Sequence, residues 1–225
     1  MKANFSIAID GPVGVGKGTL AEALAQKLEA TYIYTGGMYR ALTLAATREG
    51  MDLRDEEKIF ELLSRTTLDL KPSDAGIRVL LNGEDVTDEI FLSKISRLTP
   101  VIAAFPKIRQ EMVGRQKLLA EGKSVVMEGR DIATDVLPGA DLKVHLTADL
   151  KTRAERRLKQ LRERGIASSL EEIISETEER DRMDMEREAS PLIISEDAFV
   201  LDTTNLTIEA TVGVIISELK KREII

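Results

Sequence analysis

Ile7-Ala8-Ile9-Asp10-Gly11-Pro12-Val13-Gly14-Val15-Gly16-Lys17-Gly18-Thr19 is the stretch that decides the fold. A short β-favouring run ends in a glycine-rich turn. Leu20-Ala21-Glu22-Ala23-Leu24-Ala25-Gln26-Lys27-Leu28 then follows with apolar positions at helical spacing. The order is strand, loop, helix. Gly11, four residues, Gly16 and Lys17 have the spacing that a phosphate-binding P-loop requires. Glycines let backbone N–H groups turn toward a phosphate chain, where the positive end of the following helix also points. Lys17 adds a mobile point charge for the β and γ phosphates. Gly11, Pro12, Val13, Gly14, Val15, Gly16, Lys17, Gly18 and Thr19 are therefore expected to hold a nucleoside triphosphate. A tight turn with an incidental lysine would need three glycines, the lysine and both flanking elements to coincide.

The chain of 225 residues can bury a proper core, and one domain with insertions is the expectation. No cysteine is present, which excludes disulfides and thiolate metal sites and suits a reducing cytoplasm. The N-terminus runs into the first strand within a few residues, leaving no room for a signal peptide. No apolar run approaches the roughly 20 residues needed to span a bilayer. A net charge of −7 argues against duplex nucleic acid as a partner, so any anionic ligand must be held by local arginines. Without tryptophan, and with few other aromatics, the chain lacks the stacking platforms of single-strand binders. A soluble monomer with no membrane or nucleic-acid partner is expected.

Downstream, Ala30–Tyr34 reads as a strand. Thr35-Gly36-Gly37 is a turn signal, with Thr35 near a cap and Tyr39 and Arg40 in the first turn of a helix closed by Gly50. Taken alone, those two side chains read more readily as a surface tyrosine and a solvated arginine. Asp55–Thr66 is an amphipathic helix. Two strands, Leu68–Lys71 and Ile77–Leu81, flank a Pro72-Ser73-Asp74-Ala75-Gly76 turn, and Glu84–Val86 adds a third. This β patch interrupts the strand–helix alternation and reads as an insertion. The helical pattern of Phe91–Phe105 contains Pro100, which predicts a break or a new start there; Pro106 opens the next helix, with Arg109 in its first turn. Ser124–Met127 is a buried strand ending in Glu128-Gly129-Arg130-Asp131, at the end of a strand where α/β sheets bind ligands. His145, on the strand Leu142–Leu146, is read as structural because no metal or catalytic partner accompanies it.

Residues 151–164 form a basic helix, readable either as a solvated face or as a mobile cover that closes over phosphates. Gly165 marks a hinge, and Ser169 with Glu172 caps the next helix, which Pro191 is expected to end. That helix carries the second strong signal. Its inward stripe runs Leu170, Ile173 and Ile174, Thr177, and then turns ionic at Arg180, Asp184 and Arg187. Inward guanidinium forks suit phosphate, and a carboxylate suits ribose hydroxyls. A plain salt-bridge ladder is the alternative. Ala198–Asp202 and a helix from Ile208 to Lys221 close the chain.

The Gly-Lys-Gly-Thr ending, with Gly18 where other P-loops carry a metal-binding Ser or Thr, resembles nucleoside monophosphate kinases. Four further pieces sharpen this. Thr35-Gly36-Gly37-Met38-Tyr39-Arg40, Ala104-Phe105-Pro106-Lys107-Ile108-Arg109, Glu128-Gly129-Arg130-Asp131-Ile132 and Glu179 through Arg187 resemble the bacterial cytidylate kinases over nearly the whole chain. The resemblance implies an α/β fold: a three-layer P-loop kinase core with a parallel sheet, an inserted monophosphate-binding domain bearing a small antiparallel β patch, and a short helical lid. The core would comprise 1–34, 106–150 and 170–225, the inserted domain 35–105 and the lid 151–169. It implies transfer of a phosphoryl group from ATP to CMP or dCMP, with Mg²⁺ held by nucleotide phosphates and water and by no protein ligand directly. Lys17, Arg130, Arg157 and Arg187 would be catalytic. Thr35, Tyr39, Arg40, Arg109, Gly129, Arg130, Asp131, Arg180, Asp184 and Arg187 would bind the acceptor. Within that set, Arg40, Arg109 and Arg130 would clamp the CMP phosphate or face the cytosine, Asp131 would help bind the base, and Asp184 and Arg180 would take ribose hydroxyls.

The chain departs from the family pattern at three positions. Tyr34 stands where an acidic residue is usual, and Glu128 where aspartate is common. Pro100 replaces a serine that helps read cytosine, so Thr99 compensates or base selectivity is looser. Another small-molecule kinase, of UMP, AMP or shikimate, and a non-metabolic nucleotide switch are the rival readings. The switch lacks support from any Asn-Lys-x-Asp guanine motif.

Overall fold

The computed structural model describes residues 4–73, 76–163 and 165–225. In chain order its elements begin with β1 (Ser6–Asp10), α1 (Lys17–Lys27), β2 (Thr31–Tyr34), α2 (Thr35–Arg48) and α3 (Glu56–Ser64). There follow β3 (Leu68–Ser73), β4 (Gly76–Leu81), β5 (Glu84–Asp85), α4 (Ser93–Ala103) and α5 (Pro106–Ala120). The chain closes with β6 (Val125–Gly129), β7 (Leu142–Thr147), α6 (Leu150–Glu163), α7 (Leu170–Glu186), β8 (Phe199–Asp202) and α8 (Ile208–Lys221).

Five strands form a parallel sheet in the order β2-β6-β1-β7-β8. Its strands are apolar because both faces are covered. Ile7 and Ile9 join Leu20 and Leu24 of α1 and Ile215 and Leu219 of α8 on one face. Ala8, Ile33 and Met127 pack on the other with Val113 and Leu119 of α5. Each fully buried branched side chain contributes roughly 1.5–3 kcal/mol. This is the three-layer arrangement expected from the sequence.

β3, β4 and β5 form the separate antiparallel sheet, with Leu68 opposite Leu81 and Leu70 opposite Val79. Its apolar side meets Leu42, Ile59, Leu63 and Ile102 in a second core. Pro72 and Ser73, expected in a turn, instead extend β3; Asp74 and Ala75 of that turn lie outside the described residues, as does Arg164.

Three local expectations need correction. The Thr-Gly-Gly step is not a turn, because α2 already starts at Thr35. A Cβ on Gly37 would sit 2.7 Å from the Tyr34 ring and 3.0 Å from Val79, so this glycine serves close packing. Pro100 does not break α4, which runs to Ala103. It stands in the last turn, and burial of Ile95, Thr99 and Ile102 holds the helix while Thr99 Oγ1 donates to the Ile95 carbonyl at 2.7 Å. The third concerns α7, which ends at Glu186, ahead of Pro191. Arg187 turns extended, and the chain folds back so that Leu192 N–H donates to the Asp184 carbonyl at 2.8 Å.

The Ser169 cap forms as expected, with reciprocal hydrogen bonds between Ser169 and Glu172. Ser169→Ala should cost about 1 kcal/mol and lower the melting temperature by roughly 2–4 °C. Differential scanning calorimetry would check this.

Candidate active site

The turn after β1 is built for an anion. Gly14 (φ +76°) and Gly16 (φ +97°) are left-handed. α1 has no side-chain cap at Gly16 and no acidic residue in its first turn, so its leading N–H groups are open to phosphate. Lys17 is buried at the centre and donates to the Gly11 and Pro12 carbonyls at 2.7 and 2.8 Å. These N–H groups and the ammonium suit a triphosphate.

A cleft of about 510 Å³ extends from this loop to α2, α4 and α7. It collects Thr35, Tyr39, Arg40, Arg109, Gly129, Arg130, Asp131, Arg157, Arg180, Asp184 and Arg187, which the sequence had scattered over 153 positions (187 − 35 + 1). Of the loop residues, Val13, Gly14, Gly16, Lys17, Gly18 and Thr19 line it, whereas Gly11, Pro12 and Val15 do not.

Guanidinium groups outnumber carboxylates here. Arg109 forms a buried ion pair with Asp131. Arg130 Nε donates to Asp184 at 2.7 Å, and Arg187 lies 3.6 Å from Asp184 and 3.9 Å from Asp131. Among the described residues Arg40 pairs with no carboxylate: it donates to the Ile90 carbonyl at 2.9 Å and to Ser96 Oγ at 2.8 Å. The nitrogens Arg109 Nε, Arg180 Nε and Arg187 Nη2 are buried without a hydrogen-bond acceptor. Burial, followed by the like charges of Arg40, Arg130 and Arg157, pushes the Arg180 guanidinium down to about 9. Against the cost of burial, Arg130, Arg180 and Arg187 hold the Asp184 carboxyl below its ordinary range. Such a cluster is stable only while something anionic offsets it.

Burial, with Arg130 next in weight, also lowers the Lys17 ammonium to about 7, although Glu128, Asp184 and Asp10 oppose the shift. A triphosphate beside it would restore the proton. Binding of ATP at pH 8.5 should therefore take up a fraction of a proton, seen calorimetrically as heats that depend on the buffer's ionisation enthalpy. Buffer-independent heats would contradict the shift.

Several functional contacts escaped the sequence reading. Asp181 accepts from Val13 N–H at 3.1 Å and pairs with Arg153, itself bonded to the Val13 carbonyl at 3.1 Å. Arg156 donates to the carbonyls of Val15 (3.3 Å) and Thr203 (2.6 Å). The basic helix is thus neither wholly solvated nor free of the loop. Lys151 and Lys159 are solvated, while Arg153 and Arg156 grip the loop. Asp10 accepts from Ile132 and Ala133 N–H at 3.0 and 2.8 Å, joining the end of β1 to the turn after β6. Asp181 could have been found: it lies four residues after Thr177, as Arg180 lies three, so both continue the inward stripe.

Tyr34 faces the cleft in a stack with Tyr32 and Phe91, at centroid distances of 6.5 and 6.3 Å. His145 is buried, and burial followed by Lys17 lowers its imidazole, in keeping with a structural part. Among the described residues, no group of three or more acidic or histidine side chains is placed to hold a metal ion. Nor is any helix long and apolar enough to cross a membrane.

A parallel sheet that ends in a P-loop, facing an arginine-rich cleft, defines a P-loop kinase of small molecules. Comparison with known proteins narrows this. The family model for cytidylate kinase matches residues 7–221. A cytidylate kinase of Geobacillus kaustophilus (strain HTA426) is 46% identical over 222 residues, covering 99% of each chain. One of Lysinibacillus sphaericus (strain C3-41) is 48% identical over 209 residues, or 93% of each. The chain belongs to the cytidylate kinase family. A gluconokinase structure from Sinorhizobium meliloti 1021 shares the fold, with a TM-score of 0.52 at 14% identity, over 98% of this chain and 94% of that one.

Proposed function

We propose that the chain transfers the γ-phosphoryl group of ATP to CMP or dCMP, releasing ADP and CDP or dCDP. One observation carries the reading: a buried arginine cluster with unpaired N–H groups faces the P-loop across a nucleotide-sized cleft. The two-core architecture supports a P-loop core (1–34, 106–150, 170–225), an acceptor domain (35–105) and a lid (151–169).

The acceptor assignments follow from chemistry. Cytosine presents an amino donor beside a ring-nitrogen acceptor. Asp131 accepts and Arg109 donates, side by side, which matches that edge and opposes uracil, whose edge is reversed. The Thr99 hydroxyl proton is committed to Ile95, so this side chain can only accept, again suiting an amino group. Asp184 with Arg180 would take the ribose hydroxyls. Arg40, Arg130 and Arg187 would hold the acceptor phosphate, with Tyr39, Thr35 and Gly129 walling the cleft.

Phosphoryl transfer asks the protein for alignment and charge stabilisation more than for a strong base. Lys17 and Arg157, which both line the cleft, would neutralise the equatorial oxygens of the moving group. Arg130 and Arg187 would hold the acceptor oxygen in line. Mg²⁺ would enter with the nucleotide, held by phosphate oxygens and water, and would spread the phosphate charge; Thr19 and Glu128 are among the oxygen-bearing side chains that line the cleft. Closure of the outer part of the lid, beyond the Arg153 and Arg156 anchors, would exclude water and suppress ATP hydrolysis. Incubation with ATP and CMP, followed by chromatography, should give CDP and ADP in equal amounts. ADP without CDP would overturn the reading.

A further inference from the structure

We propose that Asp181, with Arg153, is a positioning pair that couples the triphosphate site to the acceptor site. The inference rests on the kinase reading above and adds a link between its two substrates.

Both polar backbone atoms of one P-loop residue are held by a single ion pair. Asp181 Oδ1 accepts from Val13 N–H at 3.1 Å, and Oδ2 pairs with Arg153 Nη1. The same Arg153 nitrogen donates to the Val13 carbonyl at 3.1 Å, while Arg153 Nε donates to the Ala148 carbonyl at 3.1 Å. Asp181 and Arg153 are 7% and 8% exposed, so water competes little for these bonds. The next residue, Gly14, is left-handed and so close to α6 that a Cβ would stand 2.7 Å from the Arg153 carbonyl. The loop tip is seated on this pair.

Arg153 spends Nε and Nη1 on two carbonyls and a carboxylate, and the pair is neutral as a unit. It is therefore a poor phosphate ligand and a good clamp. Its placement gives the clamp a second role. Asp181 lies on α7 one residue after Arg180 and three before Asp184, and both of those face the acceptor cleft. At 1.5 Å rise per residue these groups lie within about 6 Å along the axis, little more than one turn of the helix. A shift of α7 on engaging an acceptor carries Asp181, and with it Val13. Coupling between the sites must then be reciprocal.

Asp181→Asn keeps an acceptor for Val13 N–H but loses the ion pair; Arg153→Lys keeps the charge but loses the fork. Calorimetry would measure the affinity of a non-hydrolysable ATP analogue with and without saturating CMP. In the unaltered protein CMP should tighten the analogue at least about fivefold. In either variant that factor should fall below about twofold, with CMP affinity itself little changed. Asp181→Glu should recover part of it. Variants that lose thermal stability but keep the synergy would overturn the coupling and leave a merely structural pair. Analogue and CMP binding without synergy in the unaltered protein would overturn it too. Analogue binding with no CMP binding at all would overturn the acceptor assignment first, and the coupling with it.

Discussion

Lys17→Met is expected to lower kcat/KM for the kinase reaction by about 10³-fold or more while leaving the fold intact. Loss of one preorganised donor to a developing charge costs about 10²–10³ in rate, and Lys17 also serves triphosphate binding. The stability side runs the other way. Burial holds the Lys17 ammonium near 7 in the folded chain, against its ordinary value of 10.5. The unfolded chain therefore binds more protons between those values, and folding stability rises with pH across that window. Methionine, similar in length and uncharged, removes this burden. The melting temperature of Lys17→Met at pH 7 should equal or exceed that of the unaltered protein, and its rise toward alkaline pH should be smaller. Circular dichroism melts beside steady-state kinetics would separate the two effects. A variant that is inactive because it is unfolded would contradict this account of Lys17.

Asp184→Ala should have the second-largest effect. Asp184 is the carboxylate that Arg130 and Arg187 share, at 2.7 and 3.6 Å, and it is buried. Its removal leaves guanidinium groups facing one another, and breaking a buried pair from one side costs about 3–5 kcal/mol. CMP should weaken far more than ATP, because the P-loop keeps its own contacts. The pH dependence follows from the depressed carboxyl. Folded Asp184 stays ionised below the ordinary aspartate value of 3.8, so its contribution is fully present above that value and is lost as pH falls through the lower folded pKa. The gap between this variant and the unaltered protein should thus be flat from neutral pH down to about pH 4. Equal rises in KM for both nucleotides would refute the assigned role. Inorganic phosphate should partly restore stability to the variant by pairing with the arginines left without Asp184.

Much of this was legible in the chain because local chemistry and fold agreed. Gly11 to Thr19 carries its own signal, since only glycine backbones and a lysine at that spacing make a phosphate cradle. The α7 stripe was legible because an inward face that turns ionic at Arg180 and Asp184 has no use in a plain core. Less legible was anything settled by tertiary packing. Pro100 speaks locally for a break, yet burial of Ile95 and Ile102 carries α4 through it. Gly36 and Gly37 read as a turn when the reason for Gly37 is the ring of Tyr34 lying against it. Asp181 and Arg153 are 28 residues apart (181 − 153), and no periodicity shows that they meet at Val13. Nor does a charge run show which of its arginines is spent on the loop and which is solvated.

We propose that the arginine cluster reads a cytidine monophosphate as its phosphoryl acceptor. A coupled ADP-release assay over CMP, dCMP, UMP, AMP and shikimate, each against the ATP-only background, tests it most directly. CMP should give the highest kcat/KM, with UMP lower because its base edge opposes Asp131 and Arg109. No CMP turnover above background, or faster turnover of AMP or shikimate, would contradict it.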